Sequence, residues 1–263
     1  MLINDLDLNS YQAIYIFSGT VQFYNSKLLP GKLGASDLDS LPSDGQNRCD
    51  ASLLIADINQ NIKLITSMGN KPIPGAGKSV NYSQVYANYL IQKGFSKNNI
   101  ILSTQCLDLN TEVIALHKTA SQLGLTKVLA LTTQLQAERL GYIIDLLDYY
   151  PKYSYNLVEG SKTWRSFRAF GFTELQYNHK FIDAYFLHSF RCLKEREFKL
   201  DILDCETVLE TFNPQMSDKI ENYLNSKKAQ KRKDGETILI EQILTGKYNL
   251  SSLDQKSNKL ITI

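Results

Sequence analysis

From residue 13 to about residue 158 the chain alternates short apolar runs, rich in β-branched residues, with longer segments of helical period. This alternation restricts the fold more than any other feature. The runs are AIYIF (13–17), KLIT (63–66), NIIL (99–102), KVLAL (127–131) and YNLV (155–158). Between them Ala51, Leu54, Ile55 and Ile58 recur at i, i+3, i+4 and i+7, and Val85, Tyr86, Tyr89 and Leu90 make a second stripe. Leu116, Ala120 and Leu123 make a third, and Leu140, Ile143, Ile144 and Leu147 a fourth, which stops before Pro151. The pattern predicts an α/β fold: a Rossmann-like parallel sheet with helices on both faces, wound through right-handed crossovers.

Beyond about residue 160 the character changes. Segment 161–175 (SKTWRSFRAFGFTEL) is aromatic and basic. Phe181 to Arg196, Leu200 to Phe212, Asp218 to Lys228 and Glu236 to Thr245 read as helices, without strand–helix alternation. The expected organisation is an α/β domain over 1–175 and a mainly helical C-terminal lobe over 176–263 that packs on it, a surface for a protein partner. The charge run SKKAQKRKDG (226–235) reads as a solvated helix end or loop.

Several function classes fall away on composition. With 29 basic against 27 acidic residues and a net charge of +2, no diffuse positive field exists to bind nucleic acid or a membrane surface. The apolar runs fall far short of the ~20 residues that cross a bilayer. The opening MLINDLDLNSYQ has acidic residues and no basic stretch before an apolar one, so it does not read as a signal peptide, and a cytoplasmic location is expected. The four cysteines (Cys49, Cys106, Cys192, Cys205) form no C-x-x-C pair and the three histidines (His117, His179, His188) no i, i+4 pair, so no metal site is expected.

In an open parallel sheet ligands bind beyond the carboxyl ends of the strands, near the point where strand order reverses. Four of those ends are polar and small here: Ser18-Gly19-Thr20; Ser67-Met68-Gly69-Asn70; Ser103-Thr104 with Asn110-Thr111 after it; and Thr132-Thr133-Gln134. Such ends form a floor for a nucleotide or sugar-phosphate, although each Ser, Thr or Asn also serves as an ordinary helix N-cap. PGAGKS (74–79) approaches a phosphate-binding loop, but Pro72 stands where the first glycine of that motif belongs, which leaves it a Gly/Pro loop with Lys78 within reach of an anion. Arg48 and Arg139 are the candidate anion clamps, since a guanidinium stays charged and its fork matches phosphate or carboxylate. For Arg48 the alternative is a brace to Asp50 or Asp57; for Arg139 it is a surface position beside Glu138. In SKTWRSFRAF, Trp164, Arg165, Phe167 and Arg168 interleave rings and cations, as a base-stacking site or a packed core segment would. Cys49 and Cys106 lie near the same strand ends, with no neighbouring histidine signature to activate them.

Over about 13–172 the order AIYIFSGT (13–20), Arg48 with Ala51, Leu53 and Leu54, LITSMGN (64–70), YANYLIQKGF (86–95), NIILS (99–103), Asn110-Thr111 and VLALTTQLQAERL (128–140) resembles the YdcF/SanA/ElyC-like domain family. The resemblance implies a Rossmann-like domain with a pocket, tied to cell-envelope biology in some members and to S-adenosylmethionine-like or nucleotide ligands in one branch. The family pattern falls on Gly19, Arg48, Ser67, Gly69, Asn110, Thr111, Thr132, Thr133 and Arg139. Three departures touch proton-transfer positions: Tyr82-Ser83-Gln84 lacks the acidic residue, Val113 and Ile114 replace Glu-Asn with Glu112 one place early, and Gln136 stands for a histidine. The expected function is binding of a nucleotide-type or other anionic small molecule, S-adenosylmethionine-like or a sugar-nucleotide, in a transferase or hydrolase. The alternative is a non-catalytic interaction protein on the same fold.

Overall fold

A computed structural model describes residues 3, 6–24, 27–32, 44–72, 79–106, 109–149 and 198–244. Its central element is a five-stranded parallel sheet of β1 (Ala13–Ile16), β4 (Lys63–Ser67), β7 (Ile100–Ser103), β8 (Lys127–Thr132) and β9 (Lys199–Asp204), in the order β7-β4-β1-β8-β9. Counted along the chain this is 3-2-1-4-5, the Rossmann-like order, whose reversal lies between β1 and β8. Two antiparallel arms, β2 (Val21–Tyr24) with β3 (Lys27–Pro30) and β5 (Asn70–Pro72) with β6 (Ser79–Asn81), leave the sheet after β1 and β4.

The helices are α1 (Gly45–Ile58), α2 (Tyr82–Gln92), α3 (Leu109–Gln122), α4 (Gln134–Tyr149), α5 (Cys205–Phe212), α6 (Ser217–Leu224) and α7 (Lys227–Leu244). Side chains alternate across a strand, so β1 supplies a core on each face of the sheet. Ile14 and Ile16 enter a core with Ile55 of α1, Leu90 of α2 and Val208 of α5. Ala13, Tyr15 and Phe17 enter a second core with Val113 of α3 and Leu140 of α4. A strand buried on both faces must be apolar throughout, which is why the run AIYIF carries so strong a signal. The α/β, Rossmann-like fold class is thus the one adopted, and the described C-terminal region is mostly helical.

Three expectations change. Leu200 to Phe212 is not one helix: Lys199–Asp204 is β9, paired with β8 from Lys127↔Lys199 to Thr132↔Asp204, and the helix α5 starts only at Cys205. A six-residue run with Asp201 and Asp204 in it suits an edge strand as well as a helix, and backbone pairing with β8 decides. The α1 stripe is also shifted. Ala51 and Ile55 are buried as expected, but Ile58 is 41% exposed and Leu54 half-buried, and the inner face also carries Arg48, Ser52 and Ala56. Finally, the charge run 226–235, from Lys227 on, forms the first half of α7, the helix end rather than the loop of the two readings, with Lys227, Lys231 and Lys233 exposed, but it is not solvated throughout, since Arg232 is buried. The strand expected at 155–158 and the helix expected at 181–196 lie outside the described residues. Among the described residues no helix is long and apolar enough to cross a membrane.

Candidate functional site

At the carboxyl end of β1 the chain runs through Phe17, Ser18 and Gly19, and at the end of β8 through Thr132 and Thr133. Arg48, in the first turn of α1, fills the space between. Its Nη1 donates to the Phe17 carbonyl (2.7 Å) and the Ser18 carbonyl (2.9 Å), and its Nη2 to Gln136 Oε1 (2.9 Å). Nη2 also lies 3.1 Å from Asp44 Oδ1. The brace is therefore to Asp44 rather than Asp50 or Asp57, because Asp44 stands one helical turn before Arg48. Asp50 instead accepts the Tyr89 hydroxyl (2.8 Å).

A second guanidinium meets the same carboxylate. Arg232 of α7 donates Nη1 to Asp44 Oδ2 (2.8 Å) and Nη2 to Thr133 Oγ1 (3.2 Å). Burial alone would raise the Asp44 carboxyl; Arg48 and Arg232 outweigh it and hold the group below its ordinary value. Thr132 donates to Gln136 Oε1 (3.1 Å), so Gln136 is an acceptor for both Arg48 and Thr132. Arg139 pairs with Glu236 of α7, through Nε and through Nη2 at 3.1 Å, and not with Glu138.

Glu206, at the start of α5, completes this cluster. Its Oε2 accepts the Gln134 N–H (2.9 Å) and the Cys205 thiol (3.3 Å), and its Oε1 is buried without a hydrogen bond. Burial, and then the charge of Asp44, push it up to about 7. Arg48 Nε and Asn47 Nδ2 are likewise buried without hydrogen bonds. Such groups carry a desolvation cost of about 1–3 kcal/mol each, and they gather at the switch point of the sheet.

A neighbouring group forms at the ends of β4 and β7. The Ser67 hydroxyl lies against the Ile16 carbonyl (2.8 Å) and against Glu112, whose Oε1 also accepts the Ser18 N–H (2.7 Å). Burial raises Glu112, against the bonds from Ser67 and Ser18 that lower it. Met68, next after Ser67, has φ 88, the one non-glycine positive φ among the described residues. Its N–H donates to Cys106 Sγ (3.2 Å), and the Gly69 N–H to the Cys106 carbonyl (2.7 Å). Cys106 therefore braces a strained turn. Burial pushes the Cys49 thiol up, away from the thiolate a nucleophile needs.

The two glycines expected to admit a ligand admit the chain itself. A Cβ on Gly19 would lie 2.6 Å from Asp44 Oδ1, and one on Gly69 2.5 Å from the Thr104 carbonyl. Ser18, Gly19, Arg48, Ser67, Thr132, Thr133 and Arg139 are all buried at this edge. Asn110 and Thr111 lie in the first turn of α3, and their side chains, like Lys78, Trp164, Arg165, Phe167, Arg168, His179 and His188, lie outside what is described. His117 sits with Nδ1 2.8 Å from the Val113 carbonyl and its ring against Phe198, away from this edge. A groove of about 380 Å³, lined by Leu53, Leu54, Phe95, Leu209 and Met216, lies by the later turns of α1 and holds none of the candidate residues.

Sequence reasoning missed Asp44, Arg232 and Glu206, and passed over Glu112 as displaced by one place. The Asp44–Arg48 spacing of four was legible. Arg232 and Glu206 carried no signal, because they come from elements 188 and 162 residues beyond Asp44. In comparisons with family models, with curated proteins and with solved structures, nothing matches the chain.

Proposed function

We propose that this protein is a divergent member of the YdcF/SanA/ElyC-like family that binds a nucleotide-type or other anionic small molecule at the carboxyl edge of its sheet. The binding step serves a transferase or hydrolase reaction on an S-adenosylmethionine-like or sugar-nucleotide ligand in the cytoplasm. One observation carries the reading: two guanidinium groups, Arg48 and Arg232, face one carboxylate, Asp44, at the strand-order reversal of a 3-2-1-4-5 sheet. With Glu206 pushed up to about 7 by burial and then by Asp44, it only partly offsets the second guanidinium near neutral pH, which favours an anion beside the cluster. Arg48 acts here as a positioning residue, since its fork is already taken by Phe17, Ser18 and Gln136. Arg232 is the cation that a ligand would engage, and Arg139 is held by Glu236, one turn along the same helix.

The test is calorimetry and thermal shift on the full chain with AMP, a uridine diphosphate sugar, S-adenosylmethionine and inorganic pyrophosphate. A ligand at about 100 times its Kd stabilises the fold by about 2.7 kcal/mol, and Arg232→Gln removes that gain. Absence of any shift across the panel sinks the reading.

The second reading, a non-catalytic interaction protein, is favoured by the burial of Ser18, Arg48, Ser67, Thr132, Thr133 and Arg139. Deleting 176–263 does not test it cleanly, because β9 belongs to the sheet. Charge reversal of the exposed Lys227, Lys231 and Lys233 does: a partner bound through this lobe is then lost, while the fold persists.

A further inference from the structure

The last helix of the described residues, α7, buries charged side chains on the face that also half-buries Leu239 and Ile240. Among its described side chains, the buried ones are Ala229, Arg232 and Glu236, on one face at i, i+3 and i+7. Among the described residues neither core cluster takes one from α7, and Ile238 is 53% exposed. Its buried charges are paired: Arg232 with Asp44 and Thr133, and with Tyr223 of α6, and Glu236 with Arg139. Asp44 precedes α1 and Thr133 precedes α4, so Arg232 spans the strand-order reversal. Thr132 and Thr133 are wholly buried at this strand end, Thr133 under the Arg232 guanidinium. An apolar interface is indifferent to simple salt. Separated ions are stabilised by it, so salt favours the undocked state of a helix held by ion pairs.

We propose that α7 is an ionic latch over the carboxyl edge of the sheet, which a phosphate-bearing ligand opens by taking Arg232 from Asp44. The latch rests on the anion-binding reading for its trigger, but not for its mechanics. When α7 lifts, Asp44 keeps Arg48 as its counter-ion, and Arg232 passes to a dianion that offers more charge and more acceptor oxygens than one carboxylate. Glu236 leaves Arg139, which then faces the same opening. The site and its cover are thus coupled through two side chains of one helix.

Hydrogen exchange of the full chain, read by mass spectrometry, tests this. Sodium chloride at about 1 M, where the screening length falls to about 3 Å, is one arm. Inorganic pyrophosphate and AMP, each against a sodium chloride control of equal ionic strength, are the second, and Glu236→Gln is the third. The expected result is exchange about tenfold faster along α7, the size of effect that losing one charge-assisted hydrogen bond has on a local opening. Amides of β1 and β8 keep their protection. The swap Arg139→Glu with Glu236→Arg restores α7 to its original rate. Protection of α7 equal to that of β8 in high salt, in pyrophosphate and in Glu236→Gln overturns the latch. Loosening by salt and by Glu236→Gln, without response to pyrophosphate or AMP, keeps the latch and sinks the anion-binding reading. If Glu236→Gln unfolds the whole chain, which lost protection in β1 and β8 reveals, the wild-type salt arm decides.

Discussion

Replacing Glu206 by glutamine should make the protein relatively more stable as the pH rises, and the size of the effect is set by where the carboxyl sits. Glu206 is 2% exposed, and burial and then the charge of Asp44 push it from 4.5 up to about 7. The folded value is above the unfolded one, so the stabilising contribution is fully present below about pH 4.5 and is lost as the pH climbs through about 7. At about 1.36 kcal/mol per pH unit this amounts to roughly 3 kcal/mol, with no discount for solvent because the group is buried. Glutamine carries no charge at any pH and keeps an oxygen for the Gln134 N–H and the Cys205 thiol. Asp44 titrates in the opposite sense, its folded value being lowered, but it is present in both proteins and cancels in their difference. Urea unfolding of wild type and Glu206→Gln at intervals from pH 4.5 to pH 8 gives that difference directly. The variant should gain roughly 3 kcal/mol on the wild type across the range, equivalent to about 6–12 °C in Tm for a chain of this size. Profiles parallel to within about 0.5 kcal/mol, the scatter of a neutral surface change, would refute the placement of Glu206 in a dry site beside Asp44.

Arg48→Met should cost about 3–5 kcal/mol in urea unfolding, because the Phe17 and Ser18 carbonyls and Gln136 lose their donor while buried. Arg48→Lys should recover little of it, since an ammonium cannot span the same acceptors as a planar fork. Gly19→Ala should cost about 1–3 kcal/mol by overpacking, its Cβ falling 2.6 Å from Asp44 Oδ1 and 2.8 Å from the Gly45 nitrogen; an unchanged midpoint would show that α1 yields there. Glu112→Gln should shift the pH profile in the same direction as Glu206→Gln, because burial raises Glu112 too; a shift of opposite sign would mean that Ser67 and Ser18 hold it ionised.

Much of the sheet is legible because its inner strands, at 13, 63 and 127, are buried on both faces, and because the edge strand at 99 is apolar although Leu102 is exposed. The stripe Val85, Tyr86, Tyr89 and Leu90 is the buried face of α2. β9 reads as helix because an edge strand need not be apolar throughout, and a short run with Asp201 and Asp204 has no decisive period. α1 misleads for a different reason. Its inner face ends in Arg48 and Ser52 rather than leucines, because that end of the helix serves the polar carboxyl edge of the sheet. At the site, Gln136, read as a lost histidine, is the acceptor that orients Arg48. Glu112, one place early in the motif, still reaches Ser67 and Ser18, since the start of α3 lies beside both strand ends.

By itself the sequence determined the alternation of strands and helices, the end of the sheet at which polar residues collect, and two of the arginines placed there. These depend on neighbours within a few turns of chain, which periodicity records. Tertiary structure alone decided what the arginines do. Asp44 acquires a second guanidinium 188 residues further on, Glu206 becomes a proton-holding group, and a helix rich in lysine is fastened by Arg232 and Glu236. Charge pairing and desolvation act through space between distant segments, and a linear pattern holds no trace of them until the chain has folded.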